Sequence, residues 1–176
     1  MNKEDLGFLV LFSEAEIQEK IQDMSRKISI DYQDKELVLI GVLKGGFMFL
    51  SDLVKGLSFL AEVDFVETYS YTGTKSTGVV KITKELKGSV KNKHVILVDD
   101  IIDTGETMNV LIDHIQQKDP KSIKVATMLV KKSKHKMKYP VDYFGFEIED
   151  DFVIGYGMDL DDKYRNLSSI QIYNSK

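Results

Sequence analysis

The sequence predicts an α/β fold with a parallel sheet at its centre. Two runs, Leu37–Leu43 (LVLIGVL) and Val95–Val98 (VILV), are apolar throughout, as parallel strands covered on both faces are. Each run is followed by a segment with helical character, and buried strands alternating with helices give a parallel core. In such sheets ligands collect beyond the carboxyl ends of the strands. Two polar clusters stand at those ends: KGG after Leu43, and DDIIDTGET after Val98.

The elements follow in order. LGFLVLF (Leu6 to Phe12) imitates the apolar stretch of a signal peptide, but Glu4 and Asp5 precede it and SEAEI follows it. Those flanks lack the basic start and small-residue cleavage site of an export signal, so an early strand is expected. Ser13 with Glu16 three residues later has the spacing of a capping box. Ile17, Ile21, Met24 and Ile28 then mark one helical face. After Leu37–Leu43, the stretch FMFLSDLVKGLSFL reads as a helix. VDFVETYSY (Val63 to Tyr71) reads as a strand, TGTKSTG (Thr72 to Gly78) as a polar, glycine-bearing loop, and VVKITKEL as the returning strand of a hairpin. The strand HVILVDD precedes a helix marked by Met108, Leu111, Ile112 and Ile115. SIKVATMLVKK, YFGFEI, FVIGYG and SIQIY supply further strands. No repeat, linker or low-complexity tract divides the chain, and 176 residues suit one domain.

Composition narrows the function. The chain is 43% apolar and 30% charged, with a net charge of -4, which gives no global sign of nucleic-acid binding. The exception is local: KKSKHKMK, Lys131 to Lys138. The absence of cysteine excludes disulfides, a thiol nucleophile and thiolate-bound zinc, and fits a reducing cytoplasm. No apolar run approaches the ~20 residues of a membrane helix.

The chemistry concentrates in VILVDDIIDTGETM, Val95 to Met108. Thr104 to Thr107 opens a helix with unpaired N–H groups, two hydroxyls and a glycine, a good setting for a phosphate. Asp99 and Asp100 suit ribose hydroxyls or hydrated magnesium, a hard cation that prefers oxygen ligands. On a continuing strand the two would point to opposite faces, so a shared ligand requires the strand to end there. Asp103 stands beside the phosphate loop, where a carboxylate can accept a proton. On these residues alone, an acidic solvated turn and a ligand site both remain open. Familiar nucleotide motifs do not apply. VILVDD resembles a Walker B strand, but there is no G-x-x-x-x-G-K-[ST] and no G-x-G-x-x-G after a strand, and DDIID lacks the D-x-D spacing of an aspartyl-phosphate phosphatase.

The whole string, hydrophobic strand, two acids, IIDTG, x, T, resembles the phosphoribosyl-diphosphate (PRPP) signature of type I phosphoribosyltransferases. VLKGG (Val42 to Gly46), SY…STG (Ser70 to Gly78), LVKK (Leu129 to Lys132) and FGFEIEDDFVIGYGMDLDDKYRNL (Phe144 to Leu167) extend the resemblance, in order, to the hypoxanthine-guanine subgroup. The resemblance implies a Rossmann-like parallel core over residues 1–176, with a hood made by the N-terminal segment and residues from about 144 to 176, and a lid at Ser70 and Tyr71. It implies transfer of the 5-phosphoribosyl group from PRPP to hypoxanthine or guanine, giving IMP or GMP and pyrophosphate, with magnesium as cofactor. Asp99 and Asp100 would hold the ribose and a magnesium ion, and Asp103 would act on purine N7 as general acid/base. Thr104, Gly105, Glu106 and Thr107 would cradle the 5′-phosphate. Lys44 and Gly45 would contact pyrophosphate, in the family through a cis peptide expected here at Lys44–Gly45, and Arg165 would pair with it. Lys131 would meet the 6-oxo group, Phe152 would stack on the ring, and Val153 would offer backbone groups to its edge. Asp159 would bind a second magnesium. A cytoplasmic homodimer or homotetramer acting on small molecules is implied, without nucleic-acid or membrane partners.

Two departures bear on this. Asp99-Asp100 stands where the family often has Glu-Asp, and Glu106 puts a negative charge inside the phosphate loop. Its side chain is expected to point outward, since pointing inward would repel the phosphate. The alternatives are a xanthine-preferring enzyme and a non-catalytic RNA-binding regulator on the same fold. Adenine is disfavoured because its 6-amino donor would oppose the Lys131 ammonium.

Overall fold

Both continuously apolar runs lie at the centre of a six-stranded sheet, in a computed structural model that describes residues 8–70, 80–132 and 136–173. The elements run β1 (Leu9–Phe12), α1 (Glu14–Asp31), β2 (Leu37–Leu43), α2 (Phe47–Lys55), β3 (Glu62–Ser70), β4 (Val80–Lys84) and β5 (His94–Ile102). They continue through α3 (Glu106–Gln116), β6 (Ser122–Lys131), β7 (Tyr143–Ile148), β8 (Val153–Ile154) and β9 (Ile170–Ile172). The large sheet has the order β4-β3-β2-β5-β6-β7. Its neighbours are parallel except β4, which returns antiparallel on β3 as the predicted hairpin. The hairpin loop, Thr72 to Gly78, lies outside the described residues.

The apolar runs are explained by what covers them. Leu37, Leu39, Ile96 and Val98 face α1 and α2, packing with Ile17, Ile21, Met24, Ile28, Phe49 and Leu53. Val38, Ile40, Val42, Val95 and Leu97 point the other way and pack with Met108, Leu111, Ile112 and Ile115 of α3. Alternate residues of one strand thus enter two cores, each fully buried large side chain contributing roughly 1.5–3 kcal/mol. The capping box forms as predicted: Glu16 accepts from the Ser13 N–H at 2.9 Å, and Ser13 Oγ accepts from the Glu16 N–H at 3.4 Å.

A three-stranded antiparallel sheet, β1-β9-β8, joins the two ends of the chain. β7 pairs with β6 in the large sheet, so the small sheet's C-terminal part begins at β8, later than residue 144. β8 is short because Gly155, Tyr156 and Gly157 all take positive φ, at 94°, 49° and 100°, which a strand cannot continue. α2 stops at Lys55 because Gly56 follows, a poor helix former.

One expectation is corrected. β5 does not end at Asp99-Asp100 but runs to Ile102. Its partner β6 continues alongside, pairing Asp99 with Thr127, Ile101 with Leu129 and Ile102 with Val130. Pairing with β2 on the other side stops at Val98. The two aspartates therefore sit on a half-paired strand and address different cavities.

Candidate active site

The site lies beyond the carboxyl ends of β2, β5 and β6. At the end of β5 the chain turns into α3 through Gly105, whose φ of +84° is left-handed. A β-carbon there would also strike Met137 at 2.6 Å, so this turn requires glycine. The turn walls a cavity of about 100 Å³ with Asp99, Ile102, Asp103, Thr104, Gly105 and Thr107 among its lining. Thr104 Oγ1 accepts from the Glu106 N–H at 3.3 Å. The Glu106 side chain is turned away, exposed and 3.9 Å from Lys136 Nζ. The loop thus offers N–H groups and hydroxyls without an inward negative charge.

Asp99 and Asp100 carry the site's unusual electrostatics. Asp100 is 8% exposed and accepts from the Ile101 N–H at 2.8 Å, while Asp99 accepts from the Asp100 N–H at 3.0 Å. Burial, followed by the neighbouring Asp100 charge, pushes Asp99 well above the usual carboxylate range. Burial raises Asp100 too, against the pull of its hydrogen bonds to Asp99 and Ile101 and of the Arg165 charge. Each of these carboxylates, one at each cavity, would gain from a cation brought close to it.

The loop after β2 approaches this pair. A β-carbon on Gly45 would fall 2.0 Å from Asp100 Oδ2, so only glycine lets the carboxylate lie against the loop. The cis peptide is Leu43–Lys44, one bond before the expected Lys44–Gly45. Lys44 Nζ reaches Asp162 Oδ1 at 2.9 Å. Arg165 donates to the Gly157 carbonyl at 2.6 Å and pairs with Asp159 at 2.7 Å and Asp162 at 3.4 Å.

A second cavity, about 190 Å³, adjoins the Gly105 turn. Asp100, Asp103, Lys131, Phe152, Val153 and Asp159 line it together with Ile101 and Met158. Lys131 is buried, with Nζ 3.8 Å from Asp103 and 3.7 Å from Asp150. Phe152 is half exposed and meets Tyr173 edge-on at 5.9 Å. Val153 is on β8, an edge strand of the small sheet. Ser70 ends β3, with its backbone opposite Val80. Tyr71 lies outside the described residues.

The comparisons with known proteins meet this geometry. Residues 12–163 match the Phosphoribosyl transferase domain.

The chain belongs to the phosphoribosyl transferase domain family.

Among its relatives, a hypoxanthine-guanine-xanthine phosphoribosyltransferase of Tritrichomonas foetus is 43% identical over 93% of this chain and 90% of that protein. The Bacillus subtilis hypoxanthine-guanine phosphoribosyltransferase is 42% identical, covering 93% of this chain and 91% of its own. A hypoxanthine phosphoribosyltransferase of Staphylococcus aureus superimposes with a TM-score of 0.93 at 38% identity, over 99% of this chain and 96% of that one. Within the phosphoribosyltransferase frame, sequence reasoning missed Ile101, Met158, Asp150 and Asp162. The two apolar residues gave no signal, since each reads as core. The two acids stood beside predicted residues, and only folding shows that they face Lys131, Lys44 and Arg165.

Proposed function

We propose that this phosphoribosyltransferase transfers the 5-phosphoribosyl group of PRPP to a 6-oxopurine, hypoxanthine or guanine, giving IMP or GMP and pyrophosphate. One observation carries the reading. A cavity holding Lys131, Asp103, Phe152 and Val153 adjoins a phosphate-sized cavity, and Ile101 and Asp103 line both. A base in the first and a 5′-phosphate in the second would leave the sugar carbon between them, beside Asp99 and Asp100.

Each residue then has a physical task. The Lys131 ammonium donates to the 6-oxo group, while the edge of β8 offers backbone groups to the ring and Phe152 covers its face. Thr104, Gly105 and Thr107 surround the 5′-phosphate at the start of α3, with the Glu106 N–H holding the Thr104 hydroxyl in place. Purine N9 bonds to the sugar carbon as the C–O bond to pyrophosphate breaks, and the oxygen leaves with the bonding electrons. Asp103 accepts the N7 proton that the bonded base must lose. Lys44 and Arg165 exchange their carboxylate partners for pyrophosphate oxygens.

Asp99 and Asp100 fit magnesium, as adjacent hard oxygen donors whose desolvated charge favours a cation. When bound, magnesium would offset charge on the ribose-diphosphate. Asp159 is less free for a second ion, with Oδ1 on Arg165 and Oδ2 accepting from the Asp162 N–H at 2.8 Å. The small sheet would act as the hood and Ser70-Tyr71 as part of the lid. We place the reaction in the cytoplasm and the enzyme in a homodimer or homotetramer. Exposed Phe47 and Val63 are candidates for the contact, and light scattering would test it.

The RNA-binding reading needs a free basic face. Lys132, Lys136 and Lys138 instead pair with Glu147, Glu106 and Asp113. The decisive assay supplies PRPP and magnesium, offers each purine in turn, and measures pyrophosphate. Release with hypoxanthine or guanine is expected. Release with xanthine alone would replace the substrate, and no release with any purine would overturn the reading.

A further inference from the structure

The turn Gly155-Tyr156-Gly157 touches the pyrophosphate loop directly. A β-carbon on Gly157 would lie 2.2 Å from the Gly45 carbonyl oxygen. Around it are two polar ties between the small-sheet segment and the rest of the site, and one tie within that segment. Lys44 to Asp162 joins the segment to the loop after β2, while Arg165 to the Gly157 carbonyl and Asp159 lies within the segment; both are charged and lie where substrate is proposed to go. The second tie to the rest of the site involves no residue that lines either cavity. Tyr156 is 2% exposed, and its hydroxyl donates to Asp52 Oδ2 on α2 at 2.9 Å, across 104 residues of sequence. Asp52 is itself braced by Gln18 of α1 at 3.3 Å and Lys55 at 2.5 Å.

The geometry matters because α2 starts at the pyrophosphate loop, with Gly46 as its N-cap. Met158, two residues beyond Tyr156, lines the base cavity. The phenol therefore joins the segment that holds the base to the helix that carries the pyrophosphate loop. If Lys44 and Arg165 turn to pyrophosphate, their present ties are exchanged, while the buried phenol–carboxylate bond is out of substrate's reach. We propose that Tyr156, through Asp52, is a positioning residue that fixes the base-binding segment against the pyrophosphate loop and so sets the distance between the two substrates.

This inference rests on the phosphoribosyltransfer reading above. Relative placement of two reactants acts on the chemical step, and small misplacements cost large factors there. Tyr156→Phe should thus slow single-turnover nucleotide formation by roughly tenfold. The affinity for PRPP measured without base should stay within about twofold, because the groups placed on PRPP are untouched. Asp52→Leu should reproduce the loss, Asp52→Asn, which keeps an acceptor oxygen, should retain most of the rate, and Tyr156→Phe/Asp52→Leu should lose no more than either alone. An unchanged rate in Tyr156→Phe, or losses that multiply in the double variant, would overturn the proposal. Hydrogen exchange of the Gly155 and Met158 amides, which bond each other's carbonyls at 3.0 and 3.1 Å, tests the tie without turnover. Faster exchange in Tyr156→Phe supports it and unchanged exchange overturns it. A wild-type protein inactive with every purine would remove the functional reading instead, and the exchange result would still decide the tie.

Discussion

Single residues divide the chemistry by where their charges point. Asp103 lines both cavities, and in the proposed reaction its carboxylate touches the base while the sugar phosphate is held beside it. Asp103→Asn keeps the shape and removes the proton acceptor. Turnover is expected to fall by about 10²-fold or more, with IMP affinity changed only a few-fold, as read by steady-state kinetics beside a binding titration. Equal losses in the two would deny Asp103 a chemical role. Glu106 gives the opposite expectation. Its side chain faces Lys136 at 3.9 Å, and Glu106 is not among the residues that line the cavity at the start of α3. Glu106→Gln should leave the KM for PRPP within roughly threefold, the exposed ion pair being worth about 1 kcal/mol at most. A gain much beyond that would mean that the carboxylate turns inward in solution.

Elements place those residues, and much of their placement was legible from pattern. The bounds of β2 coincide with its apolar run, and the buried face of α1 is the Ile17, Ile21, Met24, Ile28 stripe. What escaped was non-local. β5 outlasts its apolar run because β6 still pairs with it, and β8 is cut short by three consecutive positive φ angles. The site was readable where a motif fixes both chemistry and spacing, as in DTGET. It was unreadable where a side chain arrives from elsewhere: Asp162 on Lys44, Asp150 on Lys131, Met137 over Gly105. That last contact yields an element-scale prediction. Segment Lys136–Lys138 straps the start of α3. Lys136 N–H donates to the Thr104 carbonyl at 2.6 Å, and Asn109 holds the Lys136 carbonyl at 3.2 Å and the Lys138 N–H at 2.9 Å. Gly105→Ala places a β-carbon in a left-handed residue and against this strap. A loss of about 1–3 kcal/mol in urea unfolding is expected, together with weaker binding of PRPP. Wild-type stability in that variant would show that the turn relaxes at no cost.

At the scale of the whole molecule, the carboxylates oppose one another in their effect on stability. Burial alone would raise Asp64, but N–H groups of Gly88, Phe65 and Lys87 and the Lys84 charge hold it below the usual range. A lowered folded value means that Asp64 stabilises the protein above the unfolded carboxylate pKa, about 3.9, and that this is lost as pH falls through the folded value. Asp99 and Asp100 have the reverse sign. Their folded values are raised, so their ionisation costs stability as pH rises from about 4 through those values. The protein thus carries, at neutral pH, a cost located at the site proposed for ribose and magnesium, as expected where function needs concentrated charge. Asp99→Asn removes one charge and keeps an acceptor for the Asp100 N–H. In magnesium-free buffer at pH 7 it should melt a few degrees above wild type, and the gap should shrink as the pH is lowered toward 4. Magnesium with PRPP should stabilise wild type and close the gap from the other side, since only the intact pair gains from the cation. Calorimetry at several pH values reads all three effects. An Asp99→Asn protein that melts at or below wild type at neutral pH would show that the pair is not under electrostatic strain, and would remove the main physical support for placing magnesium there.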